Sequence, residues 1–159
     1  MVAIGFGQGL TPLVSVCWGA KEQRTAMELR GMTNQILFTI GFLFAVFFFI
    51  FGKRYADMFG CSENVADMVS AGFRIYAVTF LFMGYDVINS MYFTSCGDAF
   101  SSALISSPRG IVLLLGFTFL FSALWGMTGV WLAAPASEFL TMIVTVWLLT
   151  KHKKILESR

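Results

Sequence analysis

Charge is what this chain has least of. Only 13% of its 159 residues are Asp, Glu, Lys or Arg, while 57% are hydrophobic. Ordinary soluble domains carry about 25% charged residues, so the chain belongs to the membrane class before any motif is read. Histidine is nearly missing: His152 stands alone, in the polar C-terminal stretch. Cys17, Cys61 and Cys96 form no C-x-x-C pair and have no histidine partners, which argues against a zinc centre. A net charge of +2, with no basic stripe interleaved with aromatics, argues against a nucleic-acid partner. No His/Asp cluster or nucleophile motif is present, so we expect neither an enzyme nor a cofactor. Low-complexity segments and a convincing internal repeat are absent too. The first apolar run has no basic region before it and no small-residue cleavage site after it, unlike a secretory signal.

What fills the space is five apolar runs, at about 2–18, 32–51, 73–96, 103–125 and 129–150, followed by a polar tail at 151–159. Crossing ~30 Å of hydrocarbon takes about 20 helical residues, and most of these runs approach that length. They are continuous rather than alternating, which excludes a transmembrane strand pattern. The expected fold class is all-α integral membrane, with five transmembrane helices. The joints AKEQRTAMELRG, GKRYADMFGCSENVADM and GDAFSS are polar, and residues 126–129 force a tight hairpin between the last two runs.

Basic residues give the orientation. Lys21, Arg24, Arg30, Arg109, Lys151, Lys153, Lys154 and Arg159 fall on one side, and Lys53, Arg54 and Arg74 on the other. The positive-inside rule then predicts a cytoplasmic C-terminus in a multi-pass protein of the plasma (inner) membrane. The N-terminus would face outward with nothing to carry it there, so we expect a C-terminal fragment lacking at least one upstream helix.

Two acids interrupt this apolar pattern. Asp86 is the only charge in FLFMGYDVINSMYF, and Glu138 the only one in GVWLAAPASEFLTMIVTVWLLT. A carboxylate at bilayer depth costs a few kcal/mol and is rarely kept without a partner or a task. Asp86 shares a helical face with Asn89 and Ser90, whose side chains at i+3 and i+4 can bond its carboxyl. It could bind Na⁺ or H⁺, pair with a cationic substrate, bond a neighbouring helix, or sit solvated near a vestibule. Glu138 shares a face with Pro135, Thr141 and Thr145, and either exchanges a proton or fixes helix packing. In the first run Gln8, Thr11, Pro12, Ser15 and Gly19 line one face. That face is either a cavity wall kinked at Pro12 or a packing surface of small residues. Arg109 reads as a topological anchor that snorkels to the interface. Trp125 and Trp131 read as an aromatic belt, and the Phe-rich 44–51 stretch as lipid-facing.

Three segments, in order, resemble the multidrug and toxic compound extrusion (MATE) transporters. They are GFGQGLTPLVSVCWGAKE at 5–22, GYDVINSMYFTSCGDAFSSALISSPRG at 84–110 and GMTGVWLAAPASEFLT at 126–141. The last is close to that family's G-x-x-G-[VI]-W-x-A-x-P pattern. The resemblance implies a partial C-terminal six-helix lobe of a twelve-helix, two-lobe transporter, with the missing N-terminal lobe as partner. It also implies export of organic cations or drugs driven by Na⁺ or H⁺. In some members an acid on the tenth helix serves the cation site, and Asp86 falls on that helix. An acid often stands where Glu138 does. The expected function is therefore a cation-coupled antiporter, with Asp86, Glu138, Asn89 and Ser90 as cation-site candidates. Na⁺ at Asp86 is the only metal considered. Gln8, Thr11, Pro12, Ser15 and Thr141 are the cavity candidates. The partners would be the bilayer and a small organic cation. A lipid-linked oligosaccharide flippase of the same superfamily, which needs cavity cations to meet pyrophosphate, and a truncated non-transporting membrane protein are the alternatives.

Overall fold

Every backbone N–H and C=O placed in lipid must bond within the chain, and the long apolar runs answer this as helices. The computed structural model describes residues 1–58 and 63–157. The side chains of Cys61, Lys53 and Arg159 lie outside what it describes. The order is α1 (Val2–Gly19), α2 (Gln23–Met58), α3 (Glu63–Ala77), α4 (Thr79–Ser95), α5 (Ala99–Ser107), a π-helical turn (Pro108–Leu113), α6 (Leu114–Trp125) and α7 (Met127–Glu157). Among the described residues there is no strand. Five segments are long and apolar enough to cross a membrane: Val2–Gly19, Gln23–Phe51, Met68–Ser95, Ala99–Trp125 and Met127–Lys154. The third joins α3 to α4 through a tight turn at Val78, and the fourth joins α5 to α6 through the π turn. The protein is an all-α, multi-pass membrane protein.

The helices outrun the apolar runs. Much of the AKEQRTAMELRG joint is the first turns of α2, because Ala26, Met27 and Leu29 reach the core while Arg24 and Glu28 face out. Residues 151–157 continue α7 in the same way. Charge marks where a helix leaves lipid, not where it ends.

Both α1 and α4 stop with the same cap. After α1, Glu22 N–H donates to the Cys17 carbonyl at 2.9 Å and Lys21 N–H to Trp18 at 3.1 Å. After α4, Asp98 N–H donates to Phe93 at 2.9 Å and Gly97 N–H to Thr94 at 3.1 Å. This pattern needs a left-handed residue at its centre. Gly97 meets it at φ +80°, whereas Lys21 meets it at φ 64° with a side chain. Asp98 then opens α5, accepting from Ser101 N–H at 3.1 Å and Ser101 Oγ at 2.6 Å. At the other end of the bundle Gly126 turns α6 into α7, and Gly129 lies directly against the Phe121 carbonyl, where a Cβ would not fit.

α4 is the central helix, packing against α1, α2, α5 and α7. Ile88, Tyr92 and Phe93 on it meet Leu10 and Val14 of α1, Leu37 of α2, Ile105 of α5 and Leu148 of α7. Outward-facing residues such as Phe38, Leu43, Phe119 and Leu124 are exposed, as a lipid-facing surface requires. The Phe-rich stretch is exposed at Phe44, Phe47, Phe49 and Phe51 with Phe48 as the exception, and one aromatic expectation, at Trp131, is corrected. Phe48 turns inward and stacks on Phe73 at 5.7 Å and Phe80 at 5.8 Å. Trp131 is half-buried on Gly72 of α3, where the missing side chain leaves room for the indole.

Candidate cation-handling site

α4 and α7 bring the two intramembrane acids into one polar seam. Asp86 is fully buried on α4. On α7, Glu138, Thr141 and Thr145 are spaced i, i+3 and i+7, so they share the face that packs on α4. Thr145 Oγ1 donates to Asp86 Oδ1 at 2.8 Å. The same hydroxyl lies 3.0 Å from the Thr141 carbonyl. Thr141 Oγ1 in turn donates to the Ser137 carbonyl at 2.8 Å. Asp86 Oδ2 is buried and has no hydrogen-bond partner among the described residues.

Glu138 is not alone. Arg109 Nη1 donates to Glu138 Oε2 at 3.3 Å, with side chains 22% and 12% exposed respectively. This corrects the reading of Arg109 as an interfacial anchor. Pro108 has no N–H and its ring crowds the preceding turn. The helix widens there to i→i+5 bonding, and π turns of this kind change the direction in which side chains leave the helix. Arg109, the second residue of that turn, reaches inward to α7.

Asn89 and Ser90 are buried beside Asp86 in sequence, but their hydrogen bonds run elsewhere. Asn89 Nδ2 donates to the Tyr85 carbonyl at 2.7 Å, and its Oδ1 accepts from Arg30 of α2 at 3.4 Å. Ser90 Oγ lies 2.6 Å from Ser106 Oγ and 3.1 Å from Ser102 Oγ on α5. Surrounded on several sides, α4 directs Asp86 to α7, Asn89 to α2 and Ser90 to α5.

Of the α1 candidates, Thr11 is half-buried and bonds the Gly7 carbonyl at 2.9 Å. Gln8, Pro12 and Ser15 are exposed, and α1 runs unbroken through Pro12. Ser15 Oγ lies 3.4 Å from the Ser95 carbonyl. Of these only Ser15 reaches α4, and none hydrogen-bonds to the α4–α7 seam. Among the described residues no group of three His, Cys, Asp or Glu side chains could hold a metal ion.

The MatE family model matches residues 1–120. The chain belongs to the MatE family. It is also 29% identical, over 97% of its length, to "Probable multidrug resistance protein YoeA" of Bacillus subtilis (strain 168). That alignment covers 34% of the relative, so the MatE chain spans about a third of the length of the curated protein it matches. No solved structure matches it.

Asp86, Asn89, Ser90 and Arg109 fall within the matched residues, whereas Glu138, Thr141 and Thr145 follow them. Lone charges in apolar runs were enough to single out both acids of this MatE chain. Arg109 as the partner of Glu138 was missed, since Pro108 marks an irregular turn without saying which way the next side chain leaves it. The Thr145 contact had a signal: its spacing from Glu138 and Thr141 puts it on their face.

Proposed function

We propose that the chain is part of a cation-coupled antiporter, driven by Na⁺ or H⁺, that exports organic cations or drugs across the plasma membrane. Its C-terminus is cytoplasmic, and the rest of a two-lobe transporter encloses the pathway with it. The observation that carries this is the charge balance of the seam. Arg109 and Glu138 neutralise one another, which leaves Asp86 as a buried acid with a hydroxyl partner and no cation. A group of that kind, in a protein of the MatE family, is suited to taking up the coupling ion.

The Thr145 contact suits a proton in particular. When ionised, Asp86 accepts from the Thr145 hydroxyl. When protonated, it donates to that oxygen, and the threonine hydrogen turns to the Thr141 carbonyl. Both states keep a hydrogen bond, so loading and unloading need little rearrangement. Na⁺ would use Asp86 Oδ2 and the same hydroxyl oxygens. Each monovalent cation entering down 100 mV supplies ~2.3 kcal/mol, and alternating access comes from rocking of two lobes about a midplane site. The ion drives export only by binding the two states with different free energy.

Arg109 is the feature that a flippase reading would use, because such proteins need cations for pyrophosphate. Its pairing with Glu138 favours cationic cargo instead. The test is Asp86→Asn in the full-length protein carrying this chain. Ion-stimulated drug release should be lost while membrane insertion is kept. Unchanged antiport would remove Asp86 from the mechanism.

A further inference from the structure

A second polar cluster lies on another side of the central helix, toward the basic side of the bundle. A cavity of about 210 Å³ opens there between α2, α4 and α7. Arg30, Tyr85, Tyr92, Thr150, His152 and Lys153 supply its polar lining. Liquid water occupies about 30 Å³ per molecule, so the space admits a compact polar group with a few waters.

The lining is short of acceptors. Arg30 has five N–H donors in a fixed fork. Among the described residues its one side-chain hydrogen bond is the long contact with Asn89, 3.4 Å from Nη1. Its guanidinium lies 5.2 Å above the Tyr92 ring, which holds the fork in place. Arg30 Nε and His152 Nε2 are buried without a hydrogen-bond partner among the described residues, and the Tyr92 hydroxyl has only the weak thiol acceptor of Cys96 beside it. Tyr92 is only 1% exposed. His152 is held by edge and face contacts with Trp18, Tyr92 and Phe93 at 5.4–6.0 Å between ring centres. Asp98 borders a separate cavity behind His152, and its carboxylate is taken by Ser101. A buried donor left without a partner costs about 1–3 kcal/mol. The Arg30 fork, with little to accept from it, therefore calls for an anion.

We infer that this cavity binds a phosphate-bearing anion, with the Arg30 fork as its main ligand and the Tyr92 hydroxyl and His152 as further contacts. Planar guanidinium donors match phosphate oxygens in pairs. The Arg30 guanidinium repels a cationic cargo, so the cavity is distinct from the Asp86 seam in the charge it accepts. It lies toward the Gln23 end of the Gln23–Phe51 span and the Lys154 end of the Met127–Lys154 span, and reaches inward as far as Tyr85. Basic pockets between transmembrane helices on the cytoplasmic side are known to hold anionic headgroups. The phosphate could thus come from a lipid or from solution.

The test uses the full protein carrying this chain, purified in detergent. Retention of phosphatidylglycerol against phosphatidylcholine is read by native mass spectrometry, and thermal stabilisation is read with inorganic phosphate. We expect Arg30→Gln to weaken binding of the effective probe by at least about tenfold. Arg24→Gln should leave it unchanged, because Arg24 is exposed and paired with Glu28. Phosphatidylglycerol retained with no phosphate effect identifies a lipid headgroup. Stabilisation by phosphate alone identifies a soluble anion. Should Arg30→Gln fail to fold, Tyr92→Phe keeps the ring packing and removes only the hydroxyl; it should weaken binding several-fold. Binding of neither probe, or equal binding by wild type and the folded variants, overturns the assignment.

Discussion

Thr145 on α7 donates a 2.8 Å hydrogen bond to Asp86 on α4, joining two residues 59 positions apart inside a buried helix interface. It fixes the register of the last span against the central helix. It also decides what Asp86 can do, because the threonine oxygen can accept a hydrogen bond as well as donate one.

Thr145→Val keeps the shape of the side chain and removes the hydroxyl. Such interhelical bonds in membranes average about 0.6 kcal/mol, reaching about 1.7 kcal/mol. A double-mutant cycle of Thr145→Val with Asp86→Asn, measured by unfolding in mixed micelles, should return a coupling in that range. Thr145→Ser should retain most of it. Zero coupling would mean that the two groups do not share a bond.

The Arg109–Glu138 pair makes a sharper prediction. Removing one partner of a buried pair leaves an uncompensated charge and costs about 3–5 kcal/mol. Glu138→Gln alone should therefore destabilise strongly. Arg109→Met combined with Glu138→Leu should be neutral, or up to about 4 kcal/mol more stable than wild type. The same unfolding measurement reads both.

The paired helix caps can be separated by their central residues. Lys21 holds a left-handed conformation that costs a side-chain-bearing residue roughly 1–2 kcal/mol. Lys21→Gly should stabilise the chain by about 1 kcal/mol, and Gly97→Ala should destabilise it by a similar amount. Opposite signs in the two variants are the result to look for.

Asp98 caps α5 from outside the membrane spans. Burial pushes its carboxyl upward, but the two hydrogen bonds from Ser101 prevail and hold it below the usual aspartate value. A depressed folded pKa gives stability that is present above the unfolded value of about 3.9 and is lost as pH falls through the folded one. Asp98→Ala should cost about 0.5–2 kcal/mol near neutral pH, and the difference from wild type should shrink in acid.

The five spans were legible because lipid leaves an apolar run little choice but a helix. Asp86 and Glu138 were legible because a lone charge at bilayer depth stands out against everything near it. The helix ends were not, since α2 and α7 continue through charged residues once one face is still packed. Arg109 was misread for a different reason. Counting along a regular helix assigns it no inward direction, and the π turn after Ser107 changes the phase. Asn89 and Ser90 share the Asp86 face on a helical wheel. Which neighbour each one meets depends on where α2, α5 and α7 lie, and the sequence pattern carries no such information.

The role of Asp86 as the coupling carboxyl is tested most directly by separating exchange from driven transport. The full-length protein carrying this chain would be reconstituted in liposomes as wild type and as Asp86→Asn. Counterflow of a fluorescent organic cation is read without an ion gradient, and its accumulation with a Na⁺ or H⁺ gradient imposed. Asp86→Asn should keep counterflow and lose gradient-driven accumulation. Accumulation at the wild-type level in that variant would contradict the coupling role of Asp86.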